Sequence, residues 1–218
     1  ANVLSKLEDY LQTEWPELDV YLTSVTDHYS TASICGPNSK KILKKLFPNK
    51  DFSDEAFPHM SYQDAIIDKI ECRIMRISFT GELSYEINVE SKYGKSLWEN
   101  CIAAGEEYKI TPYGTETMHL LRAEKGFIIV GQDTDGTMTP IDLQMDWIVS
   151  KKKYDFIGKR SLYRSDTMRE DRKQLVGLLT DDPNEILEEG AQIVSELDKK
   201  PVEMIGHVTS SYFSPNLN

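Results

Sequence analysis

Between residues 83 and 90 the hydrophobic positions fall on every second residue. Leu83, Tyr85, Ile87 and Val89 alternate with Ser84, Glu86, Asn88 and Glu90, the period of a half-buried strand. Residues 72–79 read as its partner across Thr80-Gly81-Glu82, so the spacing predicts a hairpin. Upstream, Val3, Leu4, Leu7, Tyr10 and Leu11 recur at helical intervals, which predicts a helix over 2–14 that Pro16 helps to end. Residues 19–26 and 31–35 read as strands. A Gly36-Pro37 turn then leads into a helix over 40–47, with Asn38 or Ser39 as cap, Ile42, Leu43 and Leu46 inward and lysines outward. Residues 62–68 read as a further strand edge.

Beyond the hairpin the period returns to that of a helix. Residues 91–104 are expected to bury Tyr93, Leu97, Trp98 and Ile102, with Gly105 as the stop. A second helix spans 115–125 on a stripe of Met118, Leu120 and Leu121, and Gly126 ends it. Arg122 lies near its C-terminus, where the helix dipole favours a cation. A short helix follows at 156–162. Three short strands at 175–179, 191–194 and 202–208, separated by Asp-Pro, Glu-Gly and Lys-Pro, have the look of a small antiparallel sheet or barrel. The fold class expected is α+β.

Composition narrows the chemistry. A net charge of -11 over 218 residues argues against binding to a nucleic-acid backbone. No run approaches the roughly 20 apolar residues of a membrane span, and the first residues lack a secretory pattern, so a cytoplasmic location is expected. Cys35, Cys72 and Cys101 are widely spaced and odd in number, which suits reduced core thiols. The loop 131–140 carries two carboxylates and two glycines but lacks the ligand spacing and closing Glu of an EF-hand, so no metal is expected. Glycine-rich nucleotide loops, nucleophile elbows and zinc-binding His-Glu-x-x-His are missing too. Glu86 stands mid-strand. Alternation leaves it either pointing to water or offering two carboxylate oxygens to a planar N–H edge.

Several phrases resemble one family in the same order. Phe79-Thr-Gly-Glu-x-x-x-Glu-Ile87 is similar to the Tyr-Thr-Gly-Glu-x-x-x-Glu-Ile hairpin of the glycine-cleavage T-proteins, the tetrahydrofolate-binding aminomethyltransferases. Leu121-Arg-Ala-Glu-Lys-Gly126, Gly131-Gln-Asp-Thr-Asp135, Thr139-Pro140, Leu143-Gln-Met-Asp-Trp147, Lys153-Tyr-Asp-Phe-Ile-Gly-Lys159, Gln174-Leu-Val-Gly177 and Ile205-Gly-His-Val-Thr-Ser210 continue the resemblance. Within the family, residues 110–136 look most like the branch formed by alpha subunits of heterotetrameric sarcosine oxidases.

The resemblance implies a T-protein-type folate domain over 1–155, then a linker helix and the start of a C-terminal β-barrel over 156–218. It implies tetrahydrofolate as cofactor, with the pterin held by Glu86, Arg122 near the folate, and Tyr113 and Gln132 at the border of the same cleft. Flavin and NAD would belong to other parts of a parent complex with further subunits. The family's catalytic Asp precedes this segment, so no catalytic residue is assigned. Because the chain lacks an initiator Met and its barrel is short of strands, an excised piece is expected, inactive alone and prone to self-association. The reaction implied for the parent is capture of a methyl-derived one-carbon unit as 5,10-methylenetetrahydrofolate. The alternatives are a free-standing aminomethyltransferase or related demethylase, and a non-catalytic folate-binding or docking module.

Overall fold

Four antiparallel strands carry the first half of the chain: β1 (Tyr29–Cys35), β2 (Tyr62–Ile67), β3 (Ile70–Met75) and β4 (Ser84–Glu90). Their order across the sheet is β1-β4-β3-β2, so β4 is central and pairs with β1 on one side and β3 on the other. The computed structural model describes residues 2–217 and falls into two compact units that meet at Pro112 and Tyr113.

The alternation of β4 places Tyr85, Ile87 and Val89 in the core, none more than 1% exposed. Register puts Ile34 beside Tyr85, and Ala32 and Ile74 beside Ile87, on this same face. Two helices join this core. In α2 (Ser39–Leu46) Ile42 and Leu43 are buried, and Leu46 packs at the margin. In α3 (Gly94–Gly105) Leu97 and Cys101 are buried. Phe47, Phe52 and Phe57 complete the core, with Phe57 stacked on Tyr85 at 5.8 Å between ring centroids. Cys72 and Cys101 are core thiols, and burial pushes each up to about 11.

The hairpin is present as β3 and β4, but β3 ends at Met75, so residues 76–83 form a longer connection than the turn expected. The tight turn lies instead between β2 and β3, where Asp68 and Lys69 both take positive φ (47° and 66°), the conformation of a two-residue hairpin link. Residues 19–26 do not form the expected strand. They pair with neither edge of the sheet, and a short 3-10 turn occupies Thr26–His28. At the start of α2 neither proposed cap acts as one: Asn38 makes no side-chain cap bond, and the Ser39 hydroxyl donates to the Gly36 and Leu83 carbonyls (2.7 and 3.0 Å).

In α3 the buried stripe runs Leu97, Cys101 and Gly105, one step of four residues at a time, and Trp98 turns outward to 51% exposure. Gly105 closes this helix for a different reason from the one expected. Its φ is -88°, and a Cβ there would lie 2.6 Å from Ile110, so the site demands Gly for close approach; Lys109 takes the left-handed position. Helix α1 (Asn2–Thr13) forms as the spacing predicts, but buries none of its residues.

The second unit is built differently. It holds α4 (Thr115–Glu124), 3-10 turns at Asp146–Ile148 and Lys159–Tyr163, and a two-stranded antiparallel sheet of β5 (Gln192–Val194) and β6 (Met204–His207). Residues 175–179 do not pair as the third strand. Leu175 is tied instead to the loop before it, its N–H donating to Asp142 and its carbonyl accepting from Gln144. Among the described residues, no helix is long and apolar enough to cross a membrane.

Candidate functional site

Pairing fixes the surroundings of Glu86. A strand exposes successive side chains on opposite faces, and directly opposed residues share a face. Glu86 lies across from Ser33 of β1 and Met75 of β3, on the face away from the core. It is half-buried. Burial alone holds its carboxyl above the ordinary value, and no described residue donates a hydrogen bond to it. A half-desolvated carboxylate without a donor among the described residues is an acceptor open to a ligand's N–H groups. The fit to an amino-pyrimidine edge follows: two parallel N–H groups would supply the missing bonds.

The next row on this face is already satisfied. Thr31 donates to Asn88 at 2.6 Å, Asn88 donates to the Arg73 carbonyl at 3.3 Å, and Arg73 grips Asp64 through Nε at 2.8 Å and Nη2 at 3.3 Å. On the other side of Glu86, the hydroxyl of Ser33, from its own row, and that of Ser84, from the next, lie 3.3 Å apart on a diagonal.

The other anticipated residues belong to the second unit. Arg122 is 2% exposed, its guanidinium directed into the unit. Nη1 donates to Asp133 at 2.5 Å and to the Phe127 carbonyl at 3.1 Å; Nη2 donates to Ser210 at 2.6 Å and Tyr212 at 3.3 Å. Nε is buried with no hydrogen-bond partner. Gln132 meets Arg122 at Ser210, donating to the same hydroxyl at 3.1 Å and also to Glu189 at 3.1 Å. Tyr113 opens this unit and is 37% exposed. The four residues therefore fall into two groups: Glu86 on the sheet of the first unit, and Arg122, Gln132 and Tyr113 in the second, where Arg122 and Gln132 share one network.

Two buried carboxylates in the second unit carry parts that the hydrophobic pattern did not reveal. Asp133 accepts from Arg122, the Ile129 N–H (2.8 Å), Thr209 (2.7 Å) and Ser210 (2.7 Å), so one side chain ties α4, the following loop and the C-terminal segment together. These donors hold its carboxyl below the ordinary value against the opposing pull of burial. Asp142, 1% exposed, accepts from Arg172 through Nε (2.8 Å) and Nη2 (2.6 Å). Arg172 is the first cause that lowers the Asp142 carboxyl to about 2. Thr139 and Asp142 also exchange bonds, Thr139 N–H to the carboxylate at 2.8 Å and Asp142 N–H to the hydroxyl at 3.4 Å. That reciprocity is the capping-box pattern, and the Thr-x-x-Asp spacing was the signal that could have found it.

Comparison with known proteins agrees with the order of these motifs. Residues 1–153 match the GCVT N-terminal domain, and residues 173–218 match the glycine cleavage T-protein C-terminal barrel domain. The chain is 56% identical over its whole length to "Sarcosine oxidase subunit alpha" of Corynebacterium sp. (strain P-1), covering 23% of that protein. It is 38% identical to the protein of the same name from Rhizobium meliloti (strain 1021), covering all of the chain and 22% of the relative. It is 33% identical to an "Aminomethyltransferase" of Thermoanaerobacter pseudethanolicus over 91% of the chain and 52% of that relative. The chain thus spans less than a quarter of the sarcosine oxidase subunits and about half of the aminomethyltransferase. With a family domain matched over more than half its length, the chain belongs to the glycine-cleavage T-protein family.

Proposed function

We propose that this chain is the tetrahydrofolate-binding part of a one-carbon enzyme of the sarcosine oxidase alpha-subunit kind. The observation that carries the reading is Glu86: a half-buried carboxylate, raised by desolvation and given no donor by the described residues, on the face of a central strand away from the core. In this reading its two oxygens accept the pterin 2-amino group and N3–H, and a strand buried on its other face keeps the carboxylate from swinging away. Arg122, Gln132 and Tyr113 complete the proposed set of folate-binding residues. With its Nη atoms engaged by Asp133, Phe127, Ser210 and Tyr212, Arg122 sets the path of loop 127–133.

Bound tetrahydrofolate would accept the methyl-derived one-carbon unit and leave as 5,10-methylenetetrahydrofolate. This chain's own contribution is position and exclusion of alternative ring orientations. The general acid or base is not assigned here, since no residue matches the family's catalytic Asp. Flavin and NAD are assigned to other parts of the parent, and further subunits are its expected partners, in a cytoplasmic complex. The folate region is taken as residues 1–155 and the barrel region as 156–218.

The test is calorimetric titration of the full-length parent with tetrahydrofolate. Glu86→Gln should weaken binding by about 1–3 kcal/mol, the range for losing a charged hydrogen-bond partner, with the fold intact. Unchanged affinity removes Glu86 from the site.

A further inference from the structure

A carboxylate that binds two N–H groups of a pyrimidine ring does not identify what stands on the neighbouring ring carbon. On the open face of the sheet only some polar groups remain to read it. Thr31, Asn88, Arg73 and Asp64 are consumed in their own chain of bonds. Met75, opposite Glu86 on the β3 side, has no polar hydrogen to donate. On the β1 side lies Ser33, directly opposite Glu86, where paired Cβ atoms stand about 5 Å apart.

Ser33 is exposed, and Ser84, one pleat along β4 from Glu86, is 4% exposed. Their hydroxyl oxygens lie 3.3 Å apart. A buried hydroxyl does best by donating to the neighbour it has. With Ser84 as the donor of this pair, the Ser33 O–H is left to turn toward the open face. The result is an acceptor pair beside a donor, across one strand seam. That array matches a lactam edge, with N–H beside C=O, and mismatches an amidine edge, where an amino group would present hydrogens to a hydroxyl already aimed outward.

We infer that Ser33, supported by Ser84, is a specificity-determining residue that donates to the 4-oxo group of the pterin and so favours 4-oxo over 4-amino ring systems. This rests on the reading of Glu86 as the pterin carboxylate, and its test separates the two. Dissociation constants for tetrahydrofolate and for its 4-amino counterpart are measured calorimetrically on the full-length parent, its Ser33→Ala and Ser33→Thr variants, and Glu86→Gln.

Loss of one neutral hydrogen bond corresponds to roughly a three- to tenfold change. Ser33→Ala should weaken tetrahydrofolate by that factor and leave the 4-amino ligand unchanged, while Ser33→Thr, which keeps a hydroxyl on a strand-compatible side chain, restores the wild-type ratio. If Ser33→Ala weakens both ligands equally, or neither, the inference is overturned while a weakened Glu86→Gln keeps the pterin site standing. If Glu86→Gln leaves tetrahydrofolate binding unchanged, the pterin reading fails and this inference falls with it.

Discussion

The two units differ in what they bury: the first buries an apolar core with a few hydroxyls, the second only polar side chains among the described residues. Every buried apolar side chain among the described residues lies between Ile34 and Cys101, in the first unit. In the second, the buried side chains are Arg122, Asp133, Thr139 and Asp142, all polar. The first unit is held by close packing of an apolar face. The second is held at two points by ion pairs whose buried carboxylates each accept several hydrogen bonds. The difference matters because these interactions fail differently: a packed core loses stability in proportion to the volume removed, whereas a buried charge becomes a liability once its partner is gone.

The strongest challenge to this contrast is removal of one carboxylate from the second unit. Asp133→Ala leaves Arg122 buried without its counter-ion and should cost about 3–5 kcal/mol, read as loss of amide protection through α4 and residues 127–133. A loss below 1 kcal/mol would mean that the pair is not what holds this unit. In the first unit Ile74→Ala empties a site with 0% exposure and should cost about 2–5 kcal/mol, read from urea denaturation.

Acid separates the units next. The Asp133 and Asp142 carboxyls are lower in the folded chain than unfolded, so the folded state binds fewer protons there. Their stabilisation is fully present above the unfolded value of 3.8 and disappears as pH falls toward about 2 for Asp142. Amide protection around residues 129–142 should therefore fall across that window, and Asp142→Asn should flatten the fall at its own loop. Glu86 has the opposite sign. Its carboxyl is raised above 4.5, so it burdens the folded state increasingly as pH rises through that region. Glu86→Gln should raise the Tm of the ligand-free protein at pH 7, with the gain vanishing near pH 4; a lower Tm at pH 7 would contradict the absence of a donor. The smallest effect belongs to Trp98→Ala on the outer side of α3, expected within about 0.5 kcal/mol in the same denaturation.

This contrast also explains what could be read in advance. The strands of the sheet, and α2 and α3, were legible because apolar period reports burial of apolar groups, and the first unit's core is built of them; α4 forms where its spacing predicts, yet its one buried residue is Arg122. Trp98 was misplaced because the helical stripe admits neighbouring phases, and the choice fell to Gly105, which must lie against Ile110. Residues 19–26 alternate without a strand edge to join, and a strand needs a partner as well as a pattern. In the second unit the organising ion pairs join Arg122 to Asp133 and Arg172 to Asp142, 11 and 30 positions apart, and Asp133 reaches Ser210 across 77, so hydrophobic period does not reveal them; only the Thr139-x-x-Asp142 exchange is local. Glu86 was found through its motif, while its lack of a donor and its neighbour Ser33 emerge only from strand pairing.

That pairing also orders events in time. β2 and β3 are joined by a two-residue turn and can meet as soon as both are synthesised, on the scale of a local hairpin. β1 must wait for β4: Ser33 and Ser84 are 51 residues apart in sequence, and closing so long a loop delays contact. The Ser33 side of the face that presents Glu86 is completed by that longer closure. A partly folded or ribosome-bound chain can thus possess the hairpin and still lack the proposed site, which makes recognition at Ser33 and Glu86 a measure of completed topology rather than of local structure.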